Sequence, residues 1–171
     1  MASRTAHLLA GFAIAVSMRA AAGDACSLLP SEAVRQATGE AVASSKATTA
    51  AAGKLRQSQC FYTLPTFTNS ISVTLTSAEG SRDAARELWK RQFHGEADKD
   101  APAAEEKEAG AKAEPVSGVG DEAYWVHSFV GNLYVRKGNR FFRISLGGKM
   151  TDDERRARAK ALAAVALRQL R

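Results

Sequence analysis

Few side chains here have the chemistry of a nucleophile, a base or a metal ligand, so their spacing must be judged first. The histidines are His7, His94 and His127, and no two stand at the separation expected of a metal-binding pair. Ser117 lacks the flanking glycines of a nucleophile elbow. The acid pairs Asp121/Glu122 and Asp152/Asp153 have local explanations, as turn residues and as helix-cap residues. A hydrolase built on this chain would need carboxylates distant in sequence to converge in space.

One stretch, "GVGDEAYW" at 118–125, matches a relaxed dinucleotide fingerprint. That fingerprint works when a strand enters the glycines and a helix leaves them, with its N-terminus holding the pyrophosphate. Here "AKAEPVS" precedes and strand-like "YWVHSFV" follows, and Asp121 and Glu122 bring negative charge where phosphate would sit. The glycines read as a turn, and no cofactor is expected.

The remaining chemistry is binding chemistry. Trp125, Phe129, Tyr134 and Phe141 interleave with His127, Arg136 and Arg143, the residue types that carry interface energy. Two Gly-Asn pairs, at 131–132 and 138–139, suggest two-residue hairpin turns joining three strands. With both turns so placed, Val130 faces Leu133, and Val135 faces Phe142. Trp125, His127, Phe129, Tyr134, Arg136, Phe141 and Arg143 then share one side of the meander with Ser145, opposite Val126, Ser128, Val130, Leu133, Val135, Phe142, Ile144 and Leu146. That side is either a wet binding face or a second apolar face under a helix, with its arginines paired locally.

The elements that must position this face are legible upstream and downstream. Ser31 opens a short helix that Gly39 stops. "ASSKATTAAAGK" has little large apolar content and reads as a mobile connection, followed by strands at 58–64 and 70–77. Ala85, Leu88, Trp89 and Phe93 form one stripe of a middle helix ending near Gly95. Residues 97–117 are charged and Ala/Pro-rich, a solvated loop. Thr151 and Glu154 fit a capping box, and Leu162, Ala163, Ala166 and Leu170 form a buried stripe. Along that last helix, Asp152–Arg156 and Glu154–Arg158 are spaced for i,i+4 pairing. The expectation is an α+β domain over 23–171. An antiparallel sheet of about five strands, ending in a three-strand meander, would be packed by two main helices and a short N-terminal one.

The first 22 residues read as a signal peptide: Arg4, an apolar run from Leu8 to Met18, then Ala20, Ala21 and Ala22. Removing Arg4 and Arg19 leaves 22 of the 24 basic residues against 18 acidic ones, a net charge of +4. That mild excess favours loose attraction to anionic surfaces and is weak evidence for nucleic acid; because an exported protein meets little of it, no nucleic-acid partner is expected. No second long apolar run is present, so no stable membrane insertion is expected after cleavage. In an oxidising compartment Cys26 and Cys60 would form one disulfide, closing a loop that stabilises by about 3–4 kcal/mol in a chain-entropy model. The alternative is lipidation of Cys26, although the preceding Gly23-Asp24-Ala25 lacks the usual leucine.

Through "CSLLPSEAVRQATG", "QCFYTL", "GVGDEAYW" and "GNLYVRKGNRFFRIS", the chain resembles small exported bacterial proteins and lipoproteins grouped as domains of unknown function. The resemblance implies a Cys26–Cys60 bridge and a glycine turn entering a hairpin sheet, and it implies no activity. The expected function is a non-catalytic periplasmic or secreted binding module for a protein or an anionic envelope ligand. The alternatives are an inhibitor of a secreted or cell-wall enzyme, presenting the 97–117 loop, or a hydrolase with dispersed carboxylates.

Overall fold

The structure, a computed structural model, describes residues 24–79, 81, 83–95 and 112–170. The expected signal peptide and residues 97–111 of the charged loop lie outside the described residues.

The fold is α+β. The sheet has seven antiparallel strands rather than about five: β1 (Ser44–Ala52), β2 (Leu55–Thr63), β3 (Ile71–Ala78), β4 (Ala113–Pro115), β5 (Glu122–Val126), β6 (Asn132–Lys137) and β7 (Arg140–Leu146), in the order β1-β2-β3-β7-β6-β5-β4. Among the described residues three α-helices pack with it: α1 (Ser31–Thr38), α2 (Ala84–His94) and α3 (Asp152–Gln169).

The two extra strands are the two edges. β1 falls where the sequence reads as a mobile connection, because Ser, Ala and Thr give no apolar alternation. It forms by pairing along its whole length with β2 across a two-residue Gly53-Lys54 turn, from Ser44↔Thr63 to Ala52↔Leu55. β4 emerges from the end of the charged loop and pairs with β5.

Each face of the sheet has its own apolar cluster. On one, Val73, Leu75, Leu133, Val135, Phe142 and Ile144 pack against Leu28, Val34 and the Leu162/Ala163/Ala166 stripe of α3. The disulfide Cys26–Cys60, with Cα atoms 4.9 Å apart, fastens the N-terminal 3-10 turn (Ala25–Ser27) to β2 on this face. Tyr62 lies beside it and donates its hydroxyl to the Leu29 carbonyl at 3.0 Å. Burial, followed by the nearby Asp24 charge, pushes that phenol up to about 12. On the other face, Ala85 and Trp89 of α2 pack on Val126, Tyr134 and Phe141.

The register of β6 on β7 is the expected one, with Leu133 facing Ile144 and Val135 facing Phe142. That of β5 on β6 is not: Leu133 faces Trp125 rather than Val130, five positions away. An odd displacement inverts the faces of a strand, so Trp125 enters the α3-side core and Val126 turns toward α2. The cause lies at Gly131. It is not part of a two-residue turn but closes a longer loop, at φ +67°, and the Trp125 ring sits where a Cβ would be. Asn132 is then the first residue of β6; its amide donates to Ser128 Oγ and its carbonyl oxygen accepts from the Ser145 hydroxyl.

Candidate functional site

The inversion divides the expected binding face. Trp125 is buried on the α3 side, and His127 follows it there, in the loop after β5. Tyr134, Arg136, Phe141 and Arg143 remain on the α2 side, where α2 buries Tyr134 and Phe141. Arg143 is partly exposed, its guanidinium 6.0 Å from the Tyr134 ring centre. Phe129 stands fully exposed at the loop tip. The seven residues therefore do not form one surface. The two cysteines expected to bridge are bonded to each other.

What the α2 side does assemble is a cluster around Glu122, whose place in the sequence suggested only a turn. Its carboxylate accepts from the Trp89 indole at 2.8 Å, the Tyr124 hydroxyl at 3.1 Å and the Arg136 Nε at 3.3 Å, and pairs with His94 Nε2 at 2.5 Å. Burial pushes this carboxyl upward, but the donors from Trp89, Tyr124 and His94 together outweigh it and hold the group below its ordinary range. Burial, then the bonded Glu122 charge, raises the Tyr124 phenol. Trp89 is locked further by ring contacts with Phe93 at 4.3 Å and Phe141 at 5.4 Å.

The neighbouring glycine turn leads the chain into this cluster. Gly120, at φ +65°, has no room for a side chain, because a Cβ would stand 2.5 Å from the Arg136 carbonyl. That turn sets Asp121 against the β6–β7 hairpin. There it accepts the Gly138 N–H at 2.7 Å and the Lys137 ammonium at 3.0 Å, and those bonds, the backbone one foremost, lower its carboxyl.

Above Glu122 lies an open cleft of about 500 Å³ between α2 and the sheet. Arg86, Lys90 and His94 are four residues apart and so fall along one side of α2, with Arg91 beside them and Arg136 opposite on β6. Arg136 is committed to Glu122, to Asp121 at 3.7 Å and to the Gly138 carbonyl. Arg86, Lys90 and Arg91 are exposed and have no carboxylate partner among the described residues. Glu122, already supplied with donors, is the one acid lining the cleft among the described residues. The arrangement sets cationic side chains at the rim beside the Trp89 ring. Among the described residues no group of three His, Cys, Asp or Glu side chains is placed to hold a metal ion.

The α3 side carries a second, closed cluster. Trp125 donates its indole N–H to Asp152 at 3.2 Å, and His127 Nδ1 stands 3.7 Å from the same carboxylate oxygen. His127 Nε2 is 3.2 Å from Glu114 Oε1, close enough for a charge contact though not aligned as a hydrogen bond. Arg156 reaches Glu114 at 3.1 Å, so neither Asp152 nor Arg156 makes the i,i+4 pair their spacing suggested. Glu114 is held below its ordinary range, first by His127 and then by Arg156. These contacts tie β4 and the end of β5 to the start of α3.

Compared with protein-family models, with curated proteins and with solved structures, the chain matches none. The functional reading therefore rests on the geometry of the cleft.

Proposed function

We propose that the chain is an exported, non-catalytic binding module whose ligand is anionic and is taken at the cleft between α2 and β5–β6. The observation that carries this reading is the charge lining the rim: among the described residues Arg86, Lys90 and Arg91 have no carboxylate partner, and the one acid lining the cleft is saturated with donors. Cationic side chains over partly buried walls focus potential and recruit anions at a salt-dependent rate. The disulfide is the kind of crosslink that persists outside a reducing cytosol, and no helix among the described residues is long and apolar enough to cross a membrane. The disulfide supports an exported role. The lipidated alternative for Cys26 loses its support, since that sulfur is bonded to Cys60.

The test is a titration of the oxidised protein with inorganic polyphosphate, set against an Arg86→Glu/Lys90→Glu variant. Each exposed pair is worth about 0.2–1 kcal/mol, so losing two of them weakens binding by about two- to thirtyfold, with the difference shrinking at high salt. Equal affinity in the two proteins removes the cleft as the site.

A further inference from the structure

The two edges of the sheet are protected to different degrees. β4 is three residues long and ends in Pro115, which has no N–H to offer. β1 is nine residues long, exposed at every position and paired with β2 without a bulge, and Lys46 is its one charged side chain. Short length, proline, bulges and charge are the devices that keep sheet edges from pairing. β4 has two of them, and β1 has little more than one lysine.

The hydrogen-bond phase identifies which groups of β1 are open. Glu79 donates its N–H to the Lys54 carbonyl, one step beyond the Leu55↔Ala78 pair and in the same register. Even-numbered residues of β2 therefore turn their backbone polar groups to β3, and odd-numbered ones turn theirs to β1. In β1, Ser44, Lys46, Thr48, Ala50 and Ala52 face those odd-numbered partners and bond to them. The N–H and C=O of Ser45, Ala47, Thr49 and Ala51 point outward, away from the sheet.

We propose that this edge pairs with the same edge of a second copy, antiparallel, about a two-fold axis through Thr48. That centre gives the full nine-residue overlap and brings the open groups together, Ser45 opposite Ala51 and Ala47 opposite Thr49. It places Lys46 opposite the partner's Ala50, whereas centring the pair on Lys46 would set two ammonium groups face to face. The small Ser, Ala and Thr side chains leave both surfaces of the new seam unobstructed. Among the described residues α2 packs mainly on β3 and β7 and α3 mainly on β6 and β7, while the 3-10 turn Ala25–Ser27 touches β1 and still leaves every β1 residue exposed.

The experiment is the mass of the full-length oxidised protein in solution, by light scattering and sedimentation, from about 1 μM to about 1 mM. The expected result is a concentration-dependent shift from one copy to two. Ala47→Pro removes an outward N–H without touching the ladder to β2, and it stays a single copy while its circular dichroism and disulfide remain those of the wild type. Thr48→Glu sets two carboxylates opposite each other and weakens the dimer several-fold. Ala50→Glu faces the partner's Lys46 on both sides of the axis and tightens it by about two- to thirtyfold. A wild type that is a single copy throughout overturns the proposal. So does a dimer that survives Ala47→Pro, or one that Ala50→Glu weakens as Thr48→Glu does.

Discussion

The molecule holds its two tryptophans in the same way on opposite faces of one sheet, and only one of the two arrangements is open. Trp125 gives its indole N–H to Asp152, with His127 and, through Glu114, Arg156 completing the group. Trp89 gives its own to Glu122, with His94 and Arg136 completing that one. On the α3 side each basic group near the carboxylates has an acid to meet, and the result is a clasp between β4, the end of β5 and α3. On the α2 side Arg86, Lys90 and Arg91 have no carboxylate partner among the described residues, and a cleft remains above the carboxylate. Similar residue types make a joint in one place and line an open cleft in the other. The surplus of charge distinguishes them.

The largest effects should be the least discriminating in stability and the most discriminating in binding. Trp125→Ala and Trp89→Ala each remove a fully buried ring and should each cost about 3–5 kcal/mol in denaturant unfolding. Polyphosphate affinity should fall for Trp89→Ala and stay unchanged for Trp125→Ala. A loss of affinity in both would end the distinction between joint and site.

Glu122→Gln should come next. It leaves the Trp89, Tyr124 and Arg136 donors facing a neutral amide, and should cost about 1–3 kcal/mol. It also deletes the negative charge lining the cleft, so affinity for polyphosphate should rise even as the fold weakens. Asp152→Asn, on a more exposed carboxylate at the start of α3, should cost about 0.3–1 kcal/mol and leave affinity alone.

Acid should loosen both clusters. Glu122 and Glu114 titrate lower in the folded chain than in the unfolded one, so each contributes stability that is fully present above the unfolded value near 4.5 and is lost as pH falls through the folded one. Unfolding free energy measured in urea should therefore decline below about pH 5. Glu122→Gln and Glu114→Gln should each flatten that decline; an unchanged slope in both would contradict the assigned bonds.

The smallest stability changes belong to the rim. Arg86→Ala and Lys90→Ala should move unfolding by no more than about 0.5 kcal/mol. Their effect should be on affinity alone, and it should fade as salt is added.

Much of the framework was legible because the information is local. The capping box at Thr151 and Glu154 and the stripe Leu162/Ala163/Ala166 are spacings within one helix, and the structure has both. Gly138-Asn139 is a true two-residue turn joining Lys137 to Arg140, so the β6–β7 register followed from it. Gly131-Asn132 is the same dipeptide in another role, and what changes it is the packing of Trp125, a tertiary fact. β1 was invisible because an edge strand of Ser, Ala and Thr is held by backbone pairing rather than by burial, although Gly53 before Lys54 was the available sign of its hairpin. The cleft was missed for the opposite reason. Arg86 and Lys90 lie one turn apart beside the Ala85/Trp89 stripe and read as an ordinary solvated face until Glu122, more than thirty positions downstream in the chain, is brought beneath them.

The central claim is best tested at the two indoles themselves. The sequence contains two tryptophans, so a nitrogen-labelled sample gives two indole N–H signals, assignable by a single Trp→Phe change. On titration with inorganic polyphosphate the Trp89 signal should move in a saturable, salt-dependent way while that of Trp125 stays in place. If the Trp125 signal moves alone, or neither moves while polyphosphate is bound, the open cleft at α2 is not where this protein takes its ligand.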